Sequence, residues 1–388
     1  MREVMILGVG MTKFGPSPLS LKELFAEAAL EAIQSSNLTS KDIQALVVGN
    51  VLGDFAEGQM NLAPLLADEI GLGAHVPATR VEGGCASASV AFRDAFMYVA
   101  SGFYDVVLVG GVEKFTHMGS SMVARTLAMI EDSHYEAFTG LTFPGVFAML
   151  AHQYADKYGI PLKVLKERMA KIAVKNHHHG TMNPLAQFQK EITVEKVLNS
   201  AMVCDPLQVL DCCPISDGAA AVVLATREIA ARKVDKPVKV LGVGQGNGGA
   251  MSRQKDFTVM RARLAAVKQA YNMAGINPKA VDVVELHDCF TIAEIVASEC
   301  LGLFEFGTGG LAAELGETSL GGRIPINPSG GLKSKGHPVG ATGCAQVYEI
   351  AKQLREECGP RQVDGARIGM TDTLGGTGTV VVNILLGR

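Results

Sequence analysis

A cysteine preceded by two glycines is the residue of this chain best suited to nucleophilic chemistry. Cys85 follows Gly83 and Gly84 and opens a stretch of small residues, CASASVAF, that predicts a helix. Amides at a helix N-terminus favour negative charge, so this position favours the thiolate form of Cys85. The glycines let the chain turn sharply and let a substrate approach. The pattern indicates a sulfur nucleophile, although a cysteine that only packs in the core is the alternative.

Two further segments carry residues that could activate such a sulfur. His337 follows a glycine and precedes a proline, ahead of another run of small residues. The tetrapeptide HDCF places His287 and Cys289 after the apolar run VVEL, at the end of a predicted strand, where α/β folds place their chemistry. A cysteine with a histidine is the minimum for an activated sulfur nucleophile. The alternatives are a core or loop histidine at 337 and a polar loop with a buried thiol at HDCF.

The elements that must position these residues come from an internal repeat. VMILGVG at 4–10 resembles VKVLGVG at 238–244, and each strand-like run leads to an amphipathic helix. Each copy then supplies another strand and a small-residue helix, which follows Cys85 in the first copy and His337 in the second. Two halves related by a pseudo-two-fold axis bring these helix starts together. The repeat therefore predicts that a cysteine and a histidine meet.

Short apolar runs that alternate with helices predict an α/β fold with largely parallel sheets. We expect the first half to comprise residues 1–116 and 205–235, the latter including a linker, and the second half to comprise 236–388. Residues 117–204 interrupt the first half, and an insertion of this length is a natural cap over a site. Its uncharged stretch 137–155 approaches the length of a membrane span, but its glycines, proline and polar residues favour a buried segment.

Composition and motifs exclude several functional classes. The net charge is −4 and no basic block occurs, which argues against a nucleic-acid partner. The N-terminus lacks the pattern of a signal peptide, so we expect a cytoplasmic protein with no membrane partner. Neither G-x-G run completes a dinucleotide-binding motif, and no Walker loop occurs. The eight cysteines lack C-x-x-C spacing and the consecutive histidines 177–179 cannot converge on one ion, so we expect no bound metal.

Four motifs, in order along the chain, carry a resemblance to a known family: VEGGCASAS around Cys85, SDGAAAVVL at 216–224, HDCF at 287–290 and GHPVGATG at 336–343. With the duplicated halves they resemble the thiolase superfamily, in particular its sterol-carrier-protein type and its archaeal and bacterial relatives. The resemblance implies a five-layer α-β-α-β-α body with an inserted loop domain, and a homodimer or dimer of dimers. It also implies thiolysis of a 3-ketoacyl-CoA or the reverse Claisen condensation, with coenzyme A as a substrate and no bound cofactor.

The same resemblance implies a role for each residue. Cys85 would take the acyl group, and His337 would deprotonate it. His287 stands where many thiolases have asparagine, and it would help His337 hold the enolate oxygen of the acetyl thioester. The backbone N–H groups of Cys85 and Gly375 would form an oxyanion hole for the acyl-enzyme.

One departure from the family pattern changes an assignment. Many thiolases carry a second catalytic cysteine in a C-x-G motif near the C-terminus, whereas this chain has Thr373 at the matching place. Cys289 is then the implied acid and base for the α-proton, as in the sterol-carrier-protein type.

The sequence thus predicts an acyl-CoA C-acyltransferase that works through an acyl-enzyme on Cys85. A decarboxylating 3-ketoacyl synthase is a rival, but it leaves Cys289 without a role. A non-catalytic acyl-CoA-binding subunit of a larger complex is a rival from another class. Relatives of this type can work with a small partner that carries a zinc ribbon and an oligonucleotide-fold barrel. The acyl group, acetoacetyl or a larger aromatic or dicarboxylic one, depends on the insertion and on its candidate lining residues Phe138, Phe143, Phe147 and Met149.

Overall fold

The computed structural model describes all residues from 1 to 388. Its strands are β1 Val4–Met11, β2 Ala45–Gly49, β3 Ala78–Val81, β4 Val106–Glu113, β5 Met202–Cys204, β6 Leu207–Gln208, β7 Gly218–Thr226, β8 Val238–Asn247, β9 Val283–Glu285, β10 Ile368–Gly375 and β11 Val380–Gly387. Its α-helices are α1 Leu21–Ser35, α2 Gly53–Ala56, α3 Leu62–Glu69, α4 Ser87–Ser101, α5 Ser120–Leu127, α6 Phe143–Lys157, α7 Leu162–Thr181, α8 Val194–Leu198, α9 Arg227–Lys233, α10 Arg261–Ala274, α11 Thr291–Cys300, α12 Gly309–Glu314, α13 Gly331–Ser334 and α14 Thr342–Arg355.

The internal repeat is visible in the main sheet. Nine strands lie in the order β3-β2-β4-β7-β1-β8-β11-β10-β9, so each half of the sheet comes from one copy of the repeat. The halves join where β1 pairs antiparallel with β8, with Met5 opposite Lys239 and Ile6 opposite Val238. Equivalent strands of the two copies thus pair with each other, as a pseudo-two-fold axis requires.

The expectation of largely parallel sheets is wrong, because the sheet is mixed. Strand β7 runs antiparallel to both β4 and β1, and β11 runs antiparallel to both β10 and β8. The pairs of β2 with β3, β2 with β4 and β9 with β10 are parallel. The turn between β10 and β11 is too short for the crossover that parallel strands need, so the chain must return antiparallel.

The layers follow the five-layer order that the resemblance implied. Helix α1 packs outside β1 and β7, and α10 packs outside β8 and β11. Helices α4 and α14 contact each other and strands of both halves, so they form the central layer. Nearly every residue of α14 is buried. Helices α4 and α14, which follow Cys85 and His337 in the sequence, therefore lie at the centre of the molecule.

The glycines that resembled a dinucleotide motif serve helix packing instead. A Cβ on Gly10 would collide with the carbonyl oxygen of Ala28 in α1, and one on Gly244 with that of Ala266 in α10. Gly8 and Gly242 stand equally close to the same two helices. Each copy of the repeat uses glycine to let its outer helix approach its strand closely.

The inserted region carries α5, α6, α7 and α8. The uncharged stretch 137–155 lies largely on α6, whose buried face packs over the second half of the molecule. None of the helices combines the length and the apolar character that crossing a bilayer requires. The segment expected to link the halves contains the short helix α9.

Candidate active site

Three loops from distant parts of the chain bring Cys85, His287 and His337 together. The sulfur of Cys85 and one ring nitrogen of each histidine lie within 4.8 Å of one another, and all three residues are buried. Cys85 lies between β3 and α4, His287 lies just after β9, and His337 lies between α13 and α14. The structure therefore brings together the cysteine and the histidine that the repeat predicted would meet.

The turn at Cys85 is held by its neighbours. Gly84 has a φ of +55°, a left-handed conformation that favours glycine. The hydroxyl of Ser87 donates to Gly84 O at 2.6 Å and accepts from Gly83 N at 2.9 Å. A Cβ on Gly84 would lie 3.1 Å from the nitrogen of Gly376, in the turn after β10. The glycines thus let the strand turn sharply and bring it against that turn.

The expectation that Cys85 favours the thiolate is wrong for the resting site. The pKa of the Cys85 thiol is raised to about 12, chiefly by burial and also by the charges of Glu113 and Glu131, although N–H groups of Gly376 and of Cys85 itself oppose this. Helix α4 begins at Ser87, two residues after the cysteine. Desolvation outweighs the helix terminus, so the thiol needs a base to ionise it.

His337 has the hydrogen bonds of such a base. Its Nδ1 lies 2.7 Å from Thr342 Oγ1, and that hydroxyl donates to Pro338 O at 3.3 Å. Because the hydroxyl hydrogen is used by Pro338, Nδ1–H donates to Thr342 and Nε2 keeps a free lone pair. Burial, followed by the charge of Lys335, lowers the pKa of His337 to about 3. The ring is therefore neutral at neutral pH and able to accept a proton.

We expect Thr342→Val to weaken catalysis without unfolding the protein. Valine keeps the volume but leaves Nδ1 of His337 without its acceptor, so the tautomer with a free Nε2 loses its support. The rate of Cys85 acylation should fall by about tenfold, which corresponds to ~1.4 kcal/mol. Single-turnover acetylation followed by mass spectrometry measures this rate. The control is Thr371→Val, because the buried hydroxyl of Thr371 has no hydrogen-bond partner. Equal acylation rates in wild type and Thr342→Val would contradict the positioning role.

His287 stands edge-on to His337, with ring centroids 4.9 Å apart and planes at 88°. Burial, followed by the charges of His337 and Arg263, lowers the pKa of His287 well below its usual value. Its Nδ1 is buried and has no hydrogen-bond partner in the protein. A neutral ring beside the sulfur suits the donation of a hydrogen bond to a substrate oxygen.

Cys289 lies on the same loop as His287, but it is not one of the three residues whose reactive atoms lie within 4.8 Å of one another. Burial raises its pKa well above the usual value for a thiol, and charges on Cys213 and Cys85 raise it further. The backbone N–H of Cys213 donates to Cys289 O at 2.9 Å. Between the two reactive residues, Asp288 turns away and accepts from Leu332 N at 2.7 Å. The loop thus carries both candidate residues and is anchored by the residue between them.

The structure shows why Thr373 fits where many thiolases have cysteine. Its hydroxyl donates to Gln346 Oε1 at 2.5 Å and is 2.7 Å from Ser89 Oγ, so it binds the two central helices together. Two residues further on is Gly375, the residue implied for the oxyanion hole. The N–H that faces the sulfur of Cys85 belongs to the next residue, Gly376, which sequence reasoning missed.

A second missed residue is Glu113, at the end of β4. Its carboxylate is fully buried and accepts hydrogen bonds that tie the loop after β2 to the loop that carries His337. The donors are Val51 N, Leu52 N, Gly340 N and Asn50 Nδ2. The signal in the sequence was the glutamate that ends the otherwise apolar run VVLVGGVE at 106–113.

We expect Glu113→Gln to remove a pH dependence of stability. Burial raises the pKa of Glu113 from its usual 4.5 to about 7, despite the backbone N–H groups that oppose this. The folded state then binds the proton more tightly than the unfolded state, so stability falls as pH rises through this window. Relative to the variant, wild type should lose about 3 kcal/mol of unfolding free energy between pH 4.5 and 7. Urea unfolding of both proteins at the two pH values measures the gap; a constant gap would refute this expectation.

The clustered side chains of Cys85, His287 and His337 are also of the types that ligate metal ions. A thiolate with two neutral imidazoles suits Zn²⁺, and their atoms lie close enough together for one ion. The histidines 177–179 lie on α7 and are not part of this cluster. The absence of a bound metal stays a prediction, which metal analysis of the purified chain tests.

Comparisons with known proteins show which family this chain belongs to. Residues 4–228 match the family model "Thiolase, N-terminal domain", and residues 245–388 match "Thiolase C-terminal domain-like". An acetyl-CoA acetyltransferase of Methanothermobacter thermautotrophicus is 45% identical over 387 residues, which cover 99% of each chain. Sterol carrier protein 2 of Bos taurus is 35% identical over 98% of this chain and 72% of its own length.

A solved structure is similar along the whole chain. The structure named "Ltp2-ChsH2(DUF35) aldolase" matches with a TM-score of 0.84 and 26% identity, covering 100% of this chain and 98% of that one. The two family models together match both halves of the repeat and most of the sequence, including each of the reactive segments. The chain belongs to the thiolase family.

Proposed function

We propose that the protein is an acyl-CoA C-acyltransferase, a thiolase that cleaves a 3-ketoacyl-CoA with CoA and runs the reverse Claisen condensation with acetyl-CoA. The observation that carries the proposal is the meeting of Cys85, His287 and His337 within 4.8 Å. The full-length similarity to a relative named acetyl-CoA acetyltransferase supports the same chemistry.

In the first half of thiolysis, Nε2 of His337 takes the proton of Cys85 and the sulfur attacks the keto carbon. The carbon–carbon bond then breaks, and its electron pair becomes the enolate of acetyl-CoA. His287 and His337 donate hydrogen bonds to the enolate oxygen, where charge stabilisation contributes several kcal/mol. Cys289 gives its proton to the enolate carbon, and acetyl-CoA leaves.

In the second half, CoA replaces the enzyme sulfur. The thiol of CoA passes its proton to Cys289 and attacks the thioester carbon. N–H groups of Cys85 and Gly375 hold the oxygen of the tetrahedral intermediate, and the N–H of Gly376 faces the sulfur. The Cys85 thiolate leaves and recovers the proton that His337 held. Both thiols and both histidines return to their starting states, so CoA thioesters are the substrates and no bound cofactor is required.

A thiolysis assay tests the proposal directly. The purified chain is given acetoacetyl-CoA and CoA, and the loss of ketoacyl absorbance is followed together with acetyl-CoA formation. A decarboxylating ketoacyl synthase would instead release carbon dioxide from a malonyl thioester. A non-catalytic acyl-CoA-binding subunit would bind the thioester without turnover, and either result would overturn the proposal.

We also propose that the protein forms a homodimer, alone or as a dimer of dimers. Strand β3 ends the sheet, and beside it lies an open groove of about 740 Å³ that includes Phe55 and Met129. These side chains are 59% and 57% exposed, and an unpaired edge beside exposed apolar groups supports a second copy there. Light scattering measures the mass in solution, and a monomer at working concentration would contradict the proposal.

We also propose that the protein works with a small partner that carries a zinc ribbon and an oligonucleotide-fold barrel. The name of the similar structure joins Ltp2 to ChsH2(DUF35), which supports a two-protein arrangement. Turnover by the purified chain alone would show that such a partner is not required.

A further inference from the structure

Helix α6, from the inserted region, lies against the loop that carries Cys289. Phe147 on this helix is 1% exposed and stacks on Phe290, with ring centroids 4.6 Å apart and planes at 26°. Both rings belong to the same buried apolar cluster as Cys289. An acyl chain that extends from the thiols towards α6 therefore meets the ring of Phe147.

Little space remains between α6 and the turn after β10. The gap lined by Phe147, Met260, Thr377 and their neighbours has a volume of about 10 Å³. This is about the room that one water molecule needs. Thr377 follows Gly376, whose N–H faces the sulfur of Cys85, so the turn that carries this N–H forms one wall of the gap. A longer acyl chain cannot enter it unless a lining side chain moves.

The four residues expected to line the acyl group differ in how deeply they are buried. Phe138 is 71% exposed and Met149 is 42% exposed, so neither closes the gap. Phe143 is half-buried and packs on the edge of the apolar cluster. Only Phe147 is fully buried, lines the gap and stacks beside Cys289.

We propose that Phe147, held in place by Phe290, restricts the acyl group on Cys85 to short chains such as acetyl. This inference rests on the proposed thiolase function and names the residue that sets its substrate class. Each methylene group that a hydrophobic pocket admits or rejects changes kcat/KM by about 10- to 200-fold. Wild type should therefore prefer acetoacetyl-CoA strongly over straight-chain 3-ketoacyl-CoAs of six and eight carbons.

The first test is the chain-length profile of the wild-type protein in thiolysis. A kcat/KM at least tenfold higher for the four-carbon than for the six-carbon substrate supports the inference. Equal rates for four, six and eight carbons would overturn it while leaving the thiolase proposal intact. Absence of thiolysis with every substrate would instead refute the thiolase function itself.

The second test compares Phe147→Ala with Phe138→Ala, a matched change at an exposed phenylalanine of the same region. Phe147→Ala should raise the six-carbon to four-carbon ratio of kcat/KM by about tenfold or more, whereas Phe138→Ala should leave the ratio unchanged. Acetylation of Cys85 by acetyl-CoA checks that each variant is folded. If the alanine variant does not fold, Phe147→Leu carries the same test with a smaller expected rise. An acetylated variant with the wild-type ratio would refute the role of Phe147.

Discussion

Cys85→Ala should abolish the acyl-enzyme and lower thiolysis by on the order of 10⁴-fold or more, because Cys85 is the thiol that lies against both histidines. The residual rate should be only what the oxyanion donors and substrate binding supply. His337 cannot take over as the nucleophile, since its pKa of about 3 and its buried position suit it to proton transfer. Intact mass after incubation with acetyl-CoA should rise by one acetyl group in wild type and by none in the variant.

The matched control for this change is another buried thiol in the central layer. Cys344 lies at the start of α14, with its sulfur 3.8 Å from Ala88 O, and it is not in the cluster of Cys85 with the two histidines. Cys344→Ala should acetylate like wild type, with the label mapped to Cys85. Acetyl label on Cys85→Ala equal to that of wild type would show that another residue is the nucleophile.

Cys289→Ala should separate the two halves of the reaction. Acylation of Cys85 by acetyl-CoA releases CoA, and a thiolate is a good leaving group even without a proton from Cys289, so single-turnover acetylation should persist. Removal of the α-proton from acetyl-CoA needs Cys289, so condensation and α-proton exchange should fall by about 10²- to 10⁴-fold, the usual loss for one general acid and base. Deuterium wash-in at the methyl group of acetyl-CoA measures the exchange step by itself.

Cys213→Ala is the matched control for Cys289→Ala, because it removes a neighbouring buried thiol. The two residues are neighbours across a backbone hydrogen bond of 2.9 Å, and burial raises the pKa of both thiols. If Cys289 moves the α-proton, the Cys213 variant should exchange deuterium at close to the wild-type rate. Near wild-type exchange in Cys289→Ala would make that cysteine a packed thiol and leave one of the histidines as the base.

Much of the local structure could be predicted because it depends on neighbouring residues. Ser20 and Glu23 have the spacing of a capping box, and both hydrogen bonds of that box are present at the start of α1. The two copies of the G-x-G strand likewise predicted two equivalent strands. The same local signals did not predict strand direction, because whether β7 and β11 run parallel or antiparallel depends on how distant segments pair.

The candidate reactive groups could be named from the sequence, since residue type and spacing determine which side chains can carry the chemistry. The tertiary structure decided the environment of those groups. It buried Cys85 so deeply that the thiol form prevails, and it directed Nδ1 of His337 towards Thr342. It also placed Phe147 beside Cys289 across more than a hundred residues of chain. Desolvation and contacts of this range arise only when the two halves and the insertion pack together, so no local pattern encodes them.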